Sequence, residues 1–231
     1  MRTKVVFVDL GNTLYKYDNE TEVETFHRVL SSLGIAKSVD EIKSARTSAE
    51  HEGEDLGLFS LYGKIRNDEY WYRWFSLILK HLGIHNKEVS KYVCSKWFDH
   101  LNCTLFPEVK RVLLRLKQMG LKIGLLTDAS EEEISLILGK ADLERCMFDI
   151  IVGTDTVKTI KPDPDFFRYA LRKLKVKPEE TLFVGDSIVS DYEGAENVGM
   201  KAVLLDRTGS KTKSYGLKTI TSLEEIFEFC I

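Results

Sequence analysis

Five short apolar runs punctuate the chain: Lys4–Val8, Lys122–Thr127, Phe148–Val152, Thr181–Gly185 and Lys201–Leu205. Each is continuous rather than alternating, the pattern of a strand buried on both faces of a parallel sheet. Between them apolar residues recur at helical spacing. Pro107–Met119 puts Val109, Val112, Leu113 and Leu116 on one stripe ahead of a stop at Gly120. Ile134, Ile137, Leu138 and Ala141 form a second stripe. Phe166, Phe167, Ala170, Leu171 and Leu174 form a third, entered through Pro162 and Pro164. Strand and helix alternate from about residue 105 onward, which predicts an α/β fold with a doubly wound (Rossmann-like) parallel sheet.

The first apolar run is separated from the second by a long stretch of helical pattern. Thr21–Leu33, Val39–Glu52, Asp68–Leu82 and Lys87–Leu101 read as four helices. A structureless loop of that length is implausible, so the insertion reads as an all-helical bundle. The predicted division is residues 1–15 and 104–231 for the α/β core and 16–103 for an inserted helical cap. Because the chain leaves the sheet just after Asp9, the insertion is expected over the carboxyl ends of the strands, where open α/β sheets bind ligands. The stretch Tyr70-Trp71-Tyr72-Arg73-Trp74-Phe75 is the most aromatic in the chain. Trp71, Trp74, Phe75, Ile78 and Leu82 keep helical spacing and are expected in the bundle core, with a substrate-facing role open for one or two rings.

Composition narrows the function classes. At 231 residues, 43% apolar and 30% charged, the chain reads as an ordinary soluble globular protein. A net charge of −3 argues against a general nucleic-acid binder. No apolar run approaches membrane-spanning length, and a core-like strand begins within about four residues of the start, leaving no room for a signal peptide. Cys94, Cys103, Cys146 and Cys230 are scattered without a C-x-x-C pair, which fits reduced thiols in the cytoplasm. His81 and His85 stand four apart, a spacing that can hold a metal on one helix face, but Gly83 between them predicts that the helix ends there. Oligomeric state has no signature in the sequence.

The candidate chemistry sits at the strand ends. Asp9 closes Val5-Val6-Phe7-Val8, and Asp186 follows Thr181–Gly185, with Asp191 five residues later. Thr127 closes the second apolar run, and Lys161 precedes Pro162. In this order and register the residues suit phosphoryl transfer. Asp9 can attack phosphorus as a carboxylate nucleophile. Mg²⁺, bound through oxygens of Asp9, Asp186 and a backbone carbonyl near Gly11, would remove the repulsion between carboxylate and phosphate. Lys161 can neutralise the nucleophile and the transferring oxygens. The Thr127 hydroxyl can hydrogen-bond those oxygens, and Asp191 can hold a metal-bound water or orient Lys161. Blander readings stand beside these. Thr13 can simply shape a turn, Lys161 can be a solvated loop lysine, Asp191 can cap the following helix, and Asp128 can be a turn residue that also brings an acid near the phosphate.

These residues resemble the motifs of the haloacid dehalogenase-like hydrolases, most of which are phosphatases. Asp9-Leu10-Gly11-Asn12-Thr13-Leu14 is similar to the first motif, Leu125-Leu126-Thr127 to the second, Lys161-Pro162 to the third, and Gly185-Asp186 through Asp191 to the fourth. The resemblance covers essentially the whole chain, helical cap included. It implies Asp9 as nucleophile, with Thr127 and Lys161 as phosphoryl-binding groups and Thr13 and Asp128 beside the substrate. It further implies Mg²⁺ held by Asp9, Asp186 and the Gly11 carbonyl with help from Asp191, and a small phosphorylated metabolite as substrate. Two positions depart from the family pattern. Gly11 stands where the phosphatases usually carry the acid that protonates the leaving oxygen, and Asp128 replaces a more usual Asn. Asp128, Asp18 or Glu20 are candidate substitutes, and a leaving group that needs no proton is another solution. The alternatives kept open are a 2-haloacid dehalogenase, with Arg28 or Arg46 binding carboxylate or halide, and a phosphono-hydrolase using a cap lysine such as Lys16, Lys37, Lys43 or Lys64. A catalytically weak binding protein on the same fold is the third.

Overall fold

The structure is a computed structural model that describes residues 2–62, 65–209 and 216–230; Lys64 lies outside them. The chain divides into two compact units, Tyr17–Asn102 and Met1–Lys16 with Cys103–Ile231.

The first unit is all-helical: α1 (Asn19–Ser32), α2 (Val39–Asp55), α3 (Asn67–His81) and α4 (Lys87–His100). Capping explains where the helices begin. Asp18 accepts the Thr21 N–H at 2.9 Å ahead of α1. Ser38 and Glu41 form a reciprocal capping box for α2, and Asn86 caps α4. The aromatic stretch supplies the core. Phe75 lies edge-on to Phe26 at 5.3 Å between centroids and against Trp97 at 4.3 Å. Trp74 is buried, and Trp71 is half-buried against the same cluster. One polar network is sealed in with them. Glu22 accepts the Trp74 indole N–H at 2.7 Å and the Arg46 Nε–H at 2.5 Å. α3 ends at His81, whose ring meets Glu52 at 2.8 Å, and Gly83 takes a left-handed φ of 76°. His85 therefore does not share a helix face with His81.

The second unit is the α/β core. In chain order it holds β1 (Val5–Val8), α5 (Val109–Gln118), β2 (Lys122–Leu126), α6 (Glu131–Lys140), β3 (Ile150–Val152), α7 (Thr154–Val157) and α8 (Pro164–Leu174). Next come β4 (Thr181–Gly185), a π-helical segment Ile188–Glu193 running into α9 (Gly194–Glu196), β5 (Lys201–Leu205) and β6 (Thr219–Ile220). A 3₁₀ segment, Leu223–Phe229, follows. The sheet order is β3-β2-β1-β4-β5-β6 with every pairing parallel. Both faces are covered, as the continuous apolar runs require. Val5 and Phe7 join Phe166, Phe167, Ala170, Phe183 and Leu204 in one apolar cluster. Val6 and Val8, which alternate to the opposite face, are equally buried.

Two strands differ from expectation. β6 is only two residues long, too short to leave a pattern in the sequence. β3 begins at Ile150 rather than Phe148; just ahead of it Asp149 grips Ile123 twice, its backbone N–H donating to the Ile123 carbonyl at 2.7 Å and its carboxylate accepting the Ile123 N–H at 2.8 Å. Among the described residues no helix is long and apolar enough to cross a membrane.

Register positions the chemistry. Val8 pairs with Leu125 on one side and Val184 on the other. The residues that follow these three strands therefore emerge side by side. The order β2-β1-β4 is also where the sheet reverses its direction of growth, the crevice where open α/β sheets bind ligands.

Candidate active site

Asp9 is the hub. Its backbone N–H donates to Val184 O at 3.0 Å, extending β1 by one residue and fixing the carboxyl group above the strand end. Oδ1 accepts from Lys161 Nζ at 2.6 Å and Oδ2 from the Thr13 hydroxyl at 3.2 Å. Asp9 is 7% exposed, and Thr13 and Lys161 are also buried. Lys161 Nζ makes a second bond, to Asp191 Oδ1 at 2.6 Å, and lies 4.0 Å from Asp128 Oδ2. Asp128 also accepts the Lys161 backbone N–H through Oδ1 at 2.8 Å, so it grips the lysine at both ends. A solvated loop lysine is thereby excluded.

Asp191 is delivered by the π-helical segment. Its other oxygen accepts the Ser187 N–H at 2.9 Å. Gly185 makes room for it: a Cβ there would fall inside the Asp191 carboxylate. The carboxylate is therefore committed to the site and to Ser187 rather than to capping the next helix. Carboxyl oxygens of Asp9, Asp186 and Asp191 all lie within 4.8 Å of one another. Three hard oxygens so placed fit a divalent cation such as Mg²⁺. Thr127 follows β2, is buried, and accepts the Ala129 N–H at 3.3 Å.

The charge balance of the cluster is uneven. Asp9, Asp128, Asp186 and Asp191 set four carboxyl groups against the ammonium of Lys161. Burial pulls the Lys161 pKa down, but Asp191, Asp9 and Asp128 overcome that and hold it well above the usual lysine value. Asp9 is pushed up to about 7, first by burial and then by Asp191 and Asp186, against the opposing pull of Lys161. One ammonium cannot offset four carboxyl groups, so the Asp9 carboxyl group is harder to ionise than an ordinary aspartate. Asp128 is raised as well, chiefly by burial.

The loop that follows Asp9 has its own support, which the sequence pattern did not reveal. Asn12 adopts a left-handed φ of 51°. Arg207, just past β5, donates Nε to Asn12 O at 3.1 Å and Nη2 to Thr13 O at 2.8 Å. Its remaining amino group meets Glu108 at 2.7 Å. Gly11 opens onto empty space, since a Cβ built there meets nothing within 4 Å.

The helical-unit residues considered for chemistry are engaged locally. Arg28 donates to the His100 carbonyl at 2.9 Å, and Arg46 holds Glu22 and Glu50. Asp18 is the α1 cap. None of these bonds joins the Asp9 cluster.

Comparison with known proteins places the site in context. A family model described as haloacid dehalogenase-like hydrolase matches residues 3–199. The glyceraldehyde 3-phosphate phosphatase of Pyrococcus furiosus is 29% identical over 237 aligned positions, spanning 98% of this chain and 92% of the relative. The pyrophosphatase PpaX of Bacillus mycoides is 34% identical over 119 residues, which covers 50% of this chain and 54% of that protein. Among solved structures, the HAD-hydrolase YfnB of Bacillus subtilis, bound to magnesium, superimposes with a TM-score of 0.79 at 18% identity, covering 100% of this chain and 99% of that one.

Proposed function

The chain belongs to the haloacid dehalogenase-like hydrolases, and on that premise we propose that it is a Mg²⁺-dependent phosphatase of a small phosphorylated metabolite, with Asp9 as nucleophile. One observation carries the reading. The Asp9 carboxyl group is held at once by Lys161, by Thr13, and within reach of Asp186 and Asp191. The named activities of the Pyrococcus and Bacillus relatives support it.

In this reading Asp9, Asp186 and the Gly11 carbonyl, with Asp191 assisting, would hold Mg²⁺, which when bound would supply Lewis-acid charge to offset the repulsion between a carboxylate and a phosphate. An Asp9 oxygen attacks phosphorus, the P–O bond to the leaving group breaks, and an aspartyl phosphate forms. Water then cleaves that phosphate from Asp9, which releases inorganic phosphate and restores the carboxylate. Lys161 stabilises charge on the transferring oxygens, with the Thr127 hydroxyl as hydrogen-bond donor beside it. Thr13 orients Asp9. Asp128 and Asp191 orient Lys161. Residues 16–103 are assigned to the cap and residues 1–15 and 104–231 to the catalytic core. The four free cysteines fit a reducing, cytoplasmic setting.

Gly11 shapes the substrate preference. With no side chain there to protonate a departing oxygen, phosphoanhydrides, acyl phosphates and aryl phosphates should turn over faster than simple alkyl esters. The test is a phosphate panel screened with Mg²⁺ and again with EDTA, with Asp9→Asn as control. Metal-dependent release of phosphate that Asp9→Asn abolishes is the expected result. Inertness of the wild type across the panel, or hydrolysis that survives EDTA, would overturn the proposal.

A further inference from the structure

Arg207 makes three hydrogen bonds with one guanidinium group. Two go to consecutive backbone carbonyls of the nucleophile loop, Asn12 and Thr13, and the third to Glu108. The guanidinium also lies on the Phe106 ring, with Cζ 3.4 Å from the ring centroid. Both charged partners are largely shielded, at 17% side-chain exposure for Arg207 and 11% for Glu108. A group bound on every side in this way does not move easily.

What it holds is the part of the loop that sets the nucleophile. Asn12 is in the left-handed region, which a non-glycine residue adopts only when its surroundings enforce it. The next residue, Thr13, sends its hydroxyl to Asp9 Oδ2. The preceding one is Gly11. We infer that Arg207 is a positioning residue for catalysis: by forking across the Asn12 and Thr13 carbonyls it holds the left-handed turn, and so fixes the direction of the Thr13 hydroxyl and of the Gly11 carbonyl. It touches none of the reacting atoms. The planar fork matters more than the charge, because a lysine ammonium is a point donor and cannot span two carbonyls while remaining on Glu108 and Phe106. This inference rests on the phosphatase reading for its kinetic consequence, but not for its effect on cation binding.

The test uses the full chain with Arg207→Lys, Arg207→Ala and Glu108→Gln. Three quantities are read: kcat and KM for p-nitrophenyl phosphate with Mg²⁺, the Kd of Mn²⁺ followed by electron paramagnetic resonance, and the melting temperature. A shift of the loop of about 1 Å is enough to cost about 10²-fold in rate. Arg207→Lys is expected to lose kcat on that scale with KM changed little, and to bind Mn²⁺ more weakly. Millimolar guanidinium should restore part of the loss in Arg207→Ala and none in Arg207→Lys. Glu108→Gln, which leaves both carbonyl bonds in place, should lose less than either. Unchanged kcat and Mn²⁺ affinity in Arg207→Lys would overturn the inference, as would losses in all three variants that merely track melting temperature. If Arg207→Ala does not fold, the Arg207→Lys comparison decides alone. A wild type that turns over no phosphate refutes the phosphatase reading, and the Mn²⁺ titration then decides the role of Arg207.

Discussion

Installing an acid at the empty position of the loop after Asp9 is the sharpest perturbation available. Gly11→Asp adds a carboxyl group where a Cβ meets nothing within 4 Å, and Gly11 is not among the glycines with positive φ. The added Cβ therefore meets no clash, and the backbone there needs no left-handed φ. Replacing a glycine at such a site stabilises a protein by about 0.4–1 kcal/mol through the unfolded chain, so Gly11→Ala serves as the control for backbone effects alone. The new acid joins a cluster of four carboxyl groups. Repulsion between like charges, about 4 kcal/mol at 4 Å and an effective dielectric of 20, favours its protonated form, which is the form a general acid needs.

General acid–base help is worth about 10²–10⁴ in rate, or about 3–5 kcal/mol of barrier at 1.36 kcal/mol per decade. That gain applies only to leaving groups that need a proton. The assay is therefore kcat/KM across a series of phosphate esters from nitrophenyl to alkyl, with Mg²⁺, for wild type, Gly11→Ala and Gly11→Asp. Wild type and Gly11→Ala should fall steeply toward the alkyl end. Gly11→Asp should flatten that fall by about two decades or more while changing nitrophenyl turnover little. A folded, Mg²⁺-binding Gly11→Asp whose alkyl-to-aryl ratio equals that of Gly11→Ala would refute the reasoning, and would mean that the leaving group is protonated from somewhere else.

Three further outcomes follow from the geometry. The Asp9 pKa in the folded, metal-free protein is about 7, above its ordinary 3.8, so its contribution to stability is full below about pH 4 and is lost as pH rises through about 7. Urea unfolding without metal should show Asp9→Asn gaining on wild type between about pH 4 and 7, with Mg²⁺ removing the gain; a difference flat with pH would contradict this. Gly185→Ala should push the Asp191 carboxylate off Lys161 and Ser187 and weaken Mn²⁺ binding at least tenfold, and unchanged affinity would show that the apparent overlap relaxes harmlessly. Glu22→Ala should destabilise the helical unit by about 1–3 kcal/mol, because it leaves the buried Trp74 N–H unpaired and leaves Arg46 with only the exposed Glu50 as a partner. Trp71, Trp74 and Trp97 all lie in Tyr17–Asn102, so tryptophan fluorescence, excited selectively over tyrosine, follows the denaturation of that unit.

The sequence displayed the sheet and the acids for the same reason. A strand buried on both faces must be apolar throughout, so a carboxylate at its end stands out, and parallel register brings such ends together. The aromatic stretch of α3 was legible because a 3.6-residue period needs only apolar side chains to show itself. Arg207 was not legible. Its partners are backbone carbonyls 195 and 194 positions away, and a carbonyl leaves no mark in a sequence. The π-helical segment that delivers Asp191 was equally hidden, since one widened turn has no period of its own. His81 and His85 show the converse error that spacing invites: four residues apart counts only while the helix lasts, and this helix ends at His81.

The charge of the cluster ties these observations together. Four carboxyl groups share one ammonium, and that imbalance falls on Asp9, which in the proposed mechanism must be ionised to attack. A cation brought by Asp186 and Asp191 would therefore do two things by a single interaction: lower the Asp9 pKa and let phosphate approach. The bonds of Lys161 to Asp9 and Asp191, 2.6 Å each, are too few to do either alone. An acid at position 11 would have made a fifth carboxyl group and deepened the imbalance. On the proposed mechanism a glycine there leaves Asp9 easier to ionise and the leaving group unassisted, which trades range of substrates for nucleophilicity. Gly11→Asp should accordingly widen the substrate range and, above the pH at which the added acid ionises, lower the cation concentration needed for half-maximal rate, because a fifth carboxylate strengthens the pull on the cation; a variant that gained range with no change in cation requirement at any pH would break the link between the two.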